Sequence, residues 1–81
     1  MSSTYKHYQI SKDLISYSSS GKAIGLKVCR SDGVWLSGYV WFPLSQCVVK
    51  DNGNSITTIY IPTWLVNSKL GLTNKIIEYR R

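Results

Sequence analysis

Side chains able to do covalent or acid–base chemistry are few in this 81-residue chain, and they are scattered. His7 is the single histidine, Cys29 and Cys47 are the two cysteines, and Asp13, Asp32, Asp51 and Glu78 are the four carboxylates. Nucleophilic catalysis needs a nucleophile, a base and a group to orient the base, and no local motif for such a set is present. Asp32 and Asp51 sit in Ser31-Asp32-Gly33 and Asp51-Asn52-Gly53-Asn54, where a short carboxylate normally serves the turn by accepting backbone N–H groups. One histidine and two separated cysteines fall short of the four ligands of a zinc site. Ser20-Gly21-Lys22 carries half of a phosphate-binding loop, but the upstream glycine is missing and Ala23 stands where a hydroxyl residue is required. The expectation is a non-enzymatic chain with no catalytic residue, no metal and no cofactor.

Binding chemistry is better represented. Val34 to Phe42 reads V-W-L-S-G-Y-V-W-F. Side chains alternate at period two along a strand, so Val34, Leu36, Val40 and Phe42 would share one face, and Trp35, Ser37, Tyr39 and Trp41 the other. The aliphatic face has an obvious use as core. The aromatic face does not, because a domain this small rarely has layers enough to cover both sides of one sheet. Three uses stay open for it: a second small core under a helix carrying Trp64, a self-association surface, or an anchoring surface for a foreign partner. Ser37 to Phe42 also matches the glycine and aromatic positions of the base-stacking strand of RNA-recognition modules, but lacks the leading basic residue.

These residues belong to one domain, 1–81, of globular composition, 43% hydrophobic and 17% charged. The stretch 1–21 reads as a weaker N-terminal arm. The formal charge of +6 is concentrated at the two ends. Up to residue 30, Lys6, Lys12, Lys22, Lys27 and Arg30 face Asp13 alone; in the middle, Lys50 and Lys69 cancel Asp32 and Asp51; the tail has Lys75, Arg80 and Arg81 against Glu78. Such clustering points to an acidic partner. Candidate partner-binding residues are therefore Trp35, Tyr39 and Trp41 together with Lys6, Lys22, Lys27, Arg30, Lys75, Arg80 and Arg81. Met1 to Lys12 is polar, without the apolar stretch of a secretion signal, and no apolar run approaches membrane-spanning length. The expected compartment is the cytoplasm, with the cysteines buried as free thiols.

The elements that must position these residues are mostly strands. Tyr5 to Ile10 and Leu14 to Ser18 read as short strands, broken at Ser11 to Asp13. Lys22 to Arg30 alternates with Ile24, Leu26 and Val28 on one face. It is expected to pair with Val34 to Phe42 as an antiparallel hairpin that ends or bends at Pro43. A second hairpin, Gln46 to Lys50 with Ser55 to Ile61, flanks Asp51-Asn52-Gly53-Asn54. A short helix should open near Pro62 and Thr63 and stop before Gly71, turning Trp64, Leu65 and Ser68 inward. Thr73 to Tyr79 closes the chain as a strand. The expected fold is mainly β (α+β): a small antiparallel sheet or partly open barrel of about five to six strands, with one short helix in the C-terminal half.

Trp41-Phe42-Pro43-Leu44-Ser45-Gln46, Lys22-Ala23-Ile24 before it and Ile61-Pro62-Thr63-Trp64-Leu65 after it resemble a pattern of small phage and mobile-element proteins. That pattern comprises a lysine-alanine strand, a W-[IV]-P-x-S-Q segment and an I-P-x-W-L segment opening a short helix. The resemblance spans Lys22 to Leu72, with Phe42 and Leu44 departing from the commonest residues. It implies an accessory protein that binds a host machine in the bacterial cytoplasm. The function implied is inhibition of a defence system, such as a CRISPR effector, by engaging a host protein or protein–nucleic acid complex. The alternatives are a module that binds nucleic acid directly through its basic ends and aromatic strand, and a self-associating structural protein such as a homodimer.

Overall fold

In the computed structural model, which describes residues 4–71 and 73–79, the chain forms eight short strands, two 3-10 turns and one α-helix. Strand β1 (Tyr5–Ser11) pairs antiparallel along its whole length with β7 (Ile56–Pro62), and β6 (Val48–Asp51) pairs with the other edge of β7. A 3-10 turn, Lys12–Leu14, then carries the chain into a second sheet, ordered β2 (Ile15–Tyr17), β3 (Ala23–Leu26), β5 (Val40–Pro43). A third sheet pairs β4 (Val28–Arg30) with β8 (Asn74–Ile76). All pairings are antiparallel, and the sheets do not close into a barrel. The mainly β, α+β class is as expected. The strands number more than the expected five to six, one of them because the run Lys22 to Arg30 divides into β3 and β4, which pair with different neighbours.

Burial explains why these segments extend. Ile24, Leu26 and Val28 alternate inward along β3 and β4, while Ile10, Phe42, Ile59 and Ile61 meet them from the other strands, all fully buried or nearly so. Ile10 lies in β1, which is paired with β7 along its whole length. Helix α1 (Thr63–Leu70) begins directly after Pro62 and ends at Gly71, whose φ of 65° only glycine adopts readily. The helix packs against β7 and β1 through Leu65, Val66 and Leu70.

Three sequence expectations are corrected. Val34 to Phe42 is not one strand: only Val40–Pro43 runs in β5, and Trp35 forms an isolated bridge with Cys29. The break falls where Gly33 and Gly38 take φ of 89° and 79° and turn the backbone away from the strand path. Val34, assigned to the core face, is 51% exposed, whereas Leu36 and Val40 are half-buried against the core and Phe42 is fully inside it. Trp64 does not turn inward: it is 61% exposed, and Ser68 is exposed as well. With about 100° per helical residue, Leu65, Val66 and Leu70 define one face, and Trp64 falls on the opposite side. Among the described residues, no helix is long and apolar enough to cross a membrane.

Candidate binding face

The outer side of the β2–β3–β5 sheet is built by register. Ser16 and Trp41 lie opposite Gly25 on its two sides, so these three positions form one row. Both neighbouring rows take the opposite, core-side face, with Ile15, Leu26 and Val40 in one and Tyr17, Ile24 and Phe42 in the other, Tyr17 remaining exposed at the sheet edge. Gly25 carries no side chain, and the Trp41 indole fills the space left. A Cβ placed on Gly25 would stand 2.9 Å from Cζ3 of Trp41 and 3.0 Å from both Cε3 and Cη2. Near-equal distances to three ring atoms mean that the six-membered ring lies across the β3 backbone, not edge-on to it. Its other face points outward, and Trp41 is 39% exposed.

Tyr39 extends this surface, its ring centroid 5.8 Å from that of Trp41 with the planes inclined at 50°. Lys27 stands over the Tyr39 ring, with Nζ 4.6 Å from the centroid, a cation–π contact. Beyond Lys27 the face continues along β4. Cys29 is bridged to Trp35 on one side and lies opposite Lys75 of β8 on the other. Trp35 is 56% exposed. The turn that presents it is tied by Asp32: Arg30 donates to its carboxylate, and the Val34 N–H donates to Oδ1 at 3.1 Å. These two donors, Arg30 first, hold the Asp32 carboxyl below the usual carboxylate range.

Of the three uses left open for the aromatic face, cover by the Trp64 helix is not the one found: the helix lies on β7 and β1, and both indoles are open to solvent. Of the predicted cations, Lys27 belongs to the aromatic face and exposed Lys22 sits just before β3, where its carbonyl accepts the Leu44 N–H at 2.9 Å. Lys27 and Lys22 form no ion pair among the described residues, whereas Arg30 is bridged to Asp32. Lys6 is separate: with Lys75, Tyr8 and Glu78 it lines a cavity of about 230 Å³ between β1, α1 and β8. Burial raises the Tyr8 phenol above its ordinary value, with the Glu78 charge adding to the effect. Lys75 links the two regions. Arg80 and Arg81 lie outside the described residues.

The half phosphate loop has no free donors to offer at two of its positions. Ser18 Oγ accepts the Lys22 and Ala23 N–H groups at 3.2 and 3.1 Å. Cys29 and Cys47 are free and half-buried, less enclosed than expected, and burial pushes the Cys47 thiol up. Among the described residues, no three His, Cys, Asp or Glu side chains gather as a metal site.

Two features escaped the sequence. Gly25 reads as one more position in an alternating strand, and its role follows only from the Gly25–Trp41 register across β3 and β5. A second exposed patch lies on the outer side of the β1–β7–β6 sheet, where Tyr5, Val48, Lys50 and Tyr60 line a shallow depression of about 350 Å³. Its residues come from three strands, with no shared motif to announce them. No family model, no curated protein and no solved structure matches the chain.

Proposed function

We propose that this protein is a non-enzymatic accessory module that binds nucleic acid, free or within a host complex, through the outer face of its β2–β3–β5 sheet. The observation that carries this is the run of Trp41, Tyr39 and Lys27, in which the Trp41 indole is 39% exposed and Lys27 stands over the half-buried Tyr39 ring without a carboxylate partner among the described residues. Bases present π-faces to such rings, and each stacked base is worth roughly 1–3 kcal/mol. The formal charge of +6 supplies the attraction to phosphate. Rings standing on an open sheet face suit unpaired bases better than a duplex, whose bases are stacked on one another.

Titration of labelled single-stranded and duplex oligonucleotides at about 50 and 200 mM salt tests the assignment. Tighter binding to the single strand is expected, weakening as salt rises. Lys27→Ala should shallow the salt dependence by about one phosphate contact. No binding to single strands at the lower salt would sink the proposal.

A host protein as partner is favoured by a different observation: Val34 and Trp35, adjacent and both more than half exposed, project from one tied turn. This is the form in which the phage-type resemblance would make the chain a cytoplasmic inhibitor of a defence complex. A stoichiometric host partner lost on Trp35→Ala would support it; a partner retained by that variant would count against the turn. Self-association through the same turn predicts a dimer in light scattering that Trp35→Ala converts to monomer.

A further inference from the structure

Gly25 does more than complete a strand. Glycine inside a strand weakens it, and an aromatic ring laid over it from the neighbouring strand restores some of the loss. That structural role would be served equally by a ring whose outer side was covered. Here the outer side is open, and the adjoining side chains are Tyr39, itself in contact with Trp41, and the Lys27 ammonium. Any residue larger than glycine at position 25 would place a carbon at 2.9–3.0 Å from three ring atoms, well inside the ~3.5 Å of carbon–carbon contact, so the indole would have to lift or rotate. Gly25 has no positive φ, so backbone strain is not what selects it. What its missing Cβ provides is a floor for the ring.

We infer that Gly25 is a positioning residue: it seats the Trp41 indole flat on β3, so that the outward ring face stacks one unpaired base while Lys27 meets the adjoining phosphate. This rests on the nucleic-acid assignment above and names the contact through which it acts. A flat, immobilised ring loses little freedom when a base lands on it; a ring tilted off the sheet has to be ordered first.

The probe is an oligomer of about twelve deoxythymidines, titrated against the full chain. Gly25→Ala is expected to weaken binding roughly tenfold, and Trp41→Ala by a similar factor. The double variant should bind no worse than Trp41→Ala alone, because both changes remove the same contact. Wild-type affinity in Gly25→Ala, or losses that multiply in the double variant, would overturn the inference while leaving nucleic-acid binding intact. Absence of binding by the native chain would instead defeat the nucleic-acid assignment and stacking with it. The seating of the ring is still read separately, by acrylamide quenching of Trp41 in a Trp35→Phe/Trp64→Phe chain, where Gly25→Ala should change the quenching constant. If Gly25→Ala does not fold, Trp41→Phe and Trp41→Leu decide: Phe should bind within about threefold of wild type and Leu roughly tenfold worse, and equal binding by the two would refute stacking.

Discussion

Single residues divide into those whose surroundings were readable from chain order and those whose surroundings depend on distant partners. Phe42 is of the first kind: it follows the aliphatic alternation and is fully buried. Phe42→Ala should cost about 3–5 kcal/mol, measured by denaturant unfolding. Trp64 is of the second kind. Its hydrophobicity argued for the inside, but the helix phase set by Leu65, Val66 and Leu70 puts it outside. Trp64→Ala should therefore alter stability by no more than about 0.5 kcal/mol in the same measurement, and a loss above about 2 kcal/mol would contradict its placement. Turn carboxylates behave as their sequence context implied. Asp51 accepts from Lys12 Nζ and from the Gly53 N–H, both at 2.7 Å, and these bonds, the Lys12 bond first, hold its carboxyl below the ordinary range, as Arg30 and Val34 do for Asp32. Because the folded state keeps these groups deprotonated to lower pH than the unfolded chain does, the stability they contribute is present above about pH 4 and lost as pH falls further. Thermal melts between pH 6 and 2 should show less acid destabilisation in Asp51→Asn than in the native chain.

At the scale of elements, β6, β7 and α1 follow from local chemistry: the Asp51-Asn52-Gly53-Asn54 turn, with Gly53 at φ 81°, and the Pro62-to-Gly71 span of the helix. Gly71 adopts φ 65° and ψ −150°, a region nearly restricted to glycine, with open space around it. Gly71→Ala should thus destabilise by roughly 1–3 kcal/mol through backbone strain alone, seen as a lowered Tm with nucleic-acid affinity unchanged. Its contrast with Gly25, where the obstacle is a neighbouring ring, separates two reasons for the same residue type. Less legible was the division of Val34 to Phe42, because period-two alternation is equally compatible with one long strand or with a bridge, a loop and a short strand. Gly33 and Gly38 were the available signal, and only non-local pairing decides how far each bends the chain. The binding face was thus half readable: Trp35, Tyr39 and Trp41 could be grouped by type, but the coverage of their rings depended on which sheet α1 chose.

Across the whole molecule, the C-terminal segment holds the sheets together. β8 supplies the partner of β4, the Ile77 N–H donates to the Lys27 carbonyl, and the Tyr79 N–H donates to the Gln9 carbonyl at 2.7 Å. Removing residues 71–81 should expose Val28, strip β4 of its partner and abolish cooperative thermal unfolding in circular dichroism; a sharp melt in the truncated chain would show that the remaining two sheets suffice. Charge was countable in the sequence but its grouping was not. Among the described residues, the cations of the two ends resolve into Lys27 over the Tyr39 ring, Lys22 exposed just before β3, Arg30 and Lys12 paired with carboxylates, and Lys6 with Lys75 around a cavity shared with Glu78.

The same closure has a kinetic consequence. Tyr5 pairs with Pro62 and Ser11 with Ile56, while Val28 waits for Ile76. During synthesis β1 has no strand to join until β7 has emerged, and β4 none until β8 has. Contacts between segments so far apart carry a large loop-closure cost and slow folding. Refolding from denaturant should be correspondingly slow for a domain of this size, in the range of milliseconds to seconds.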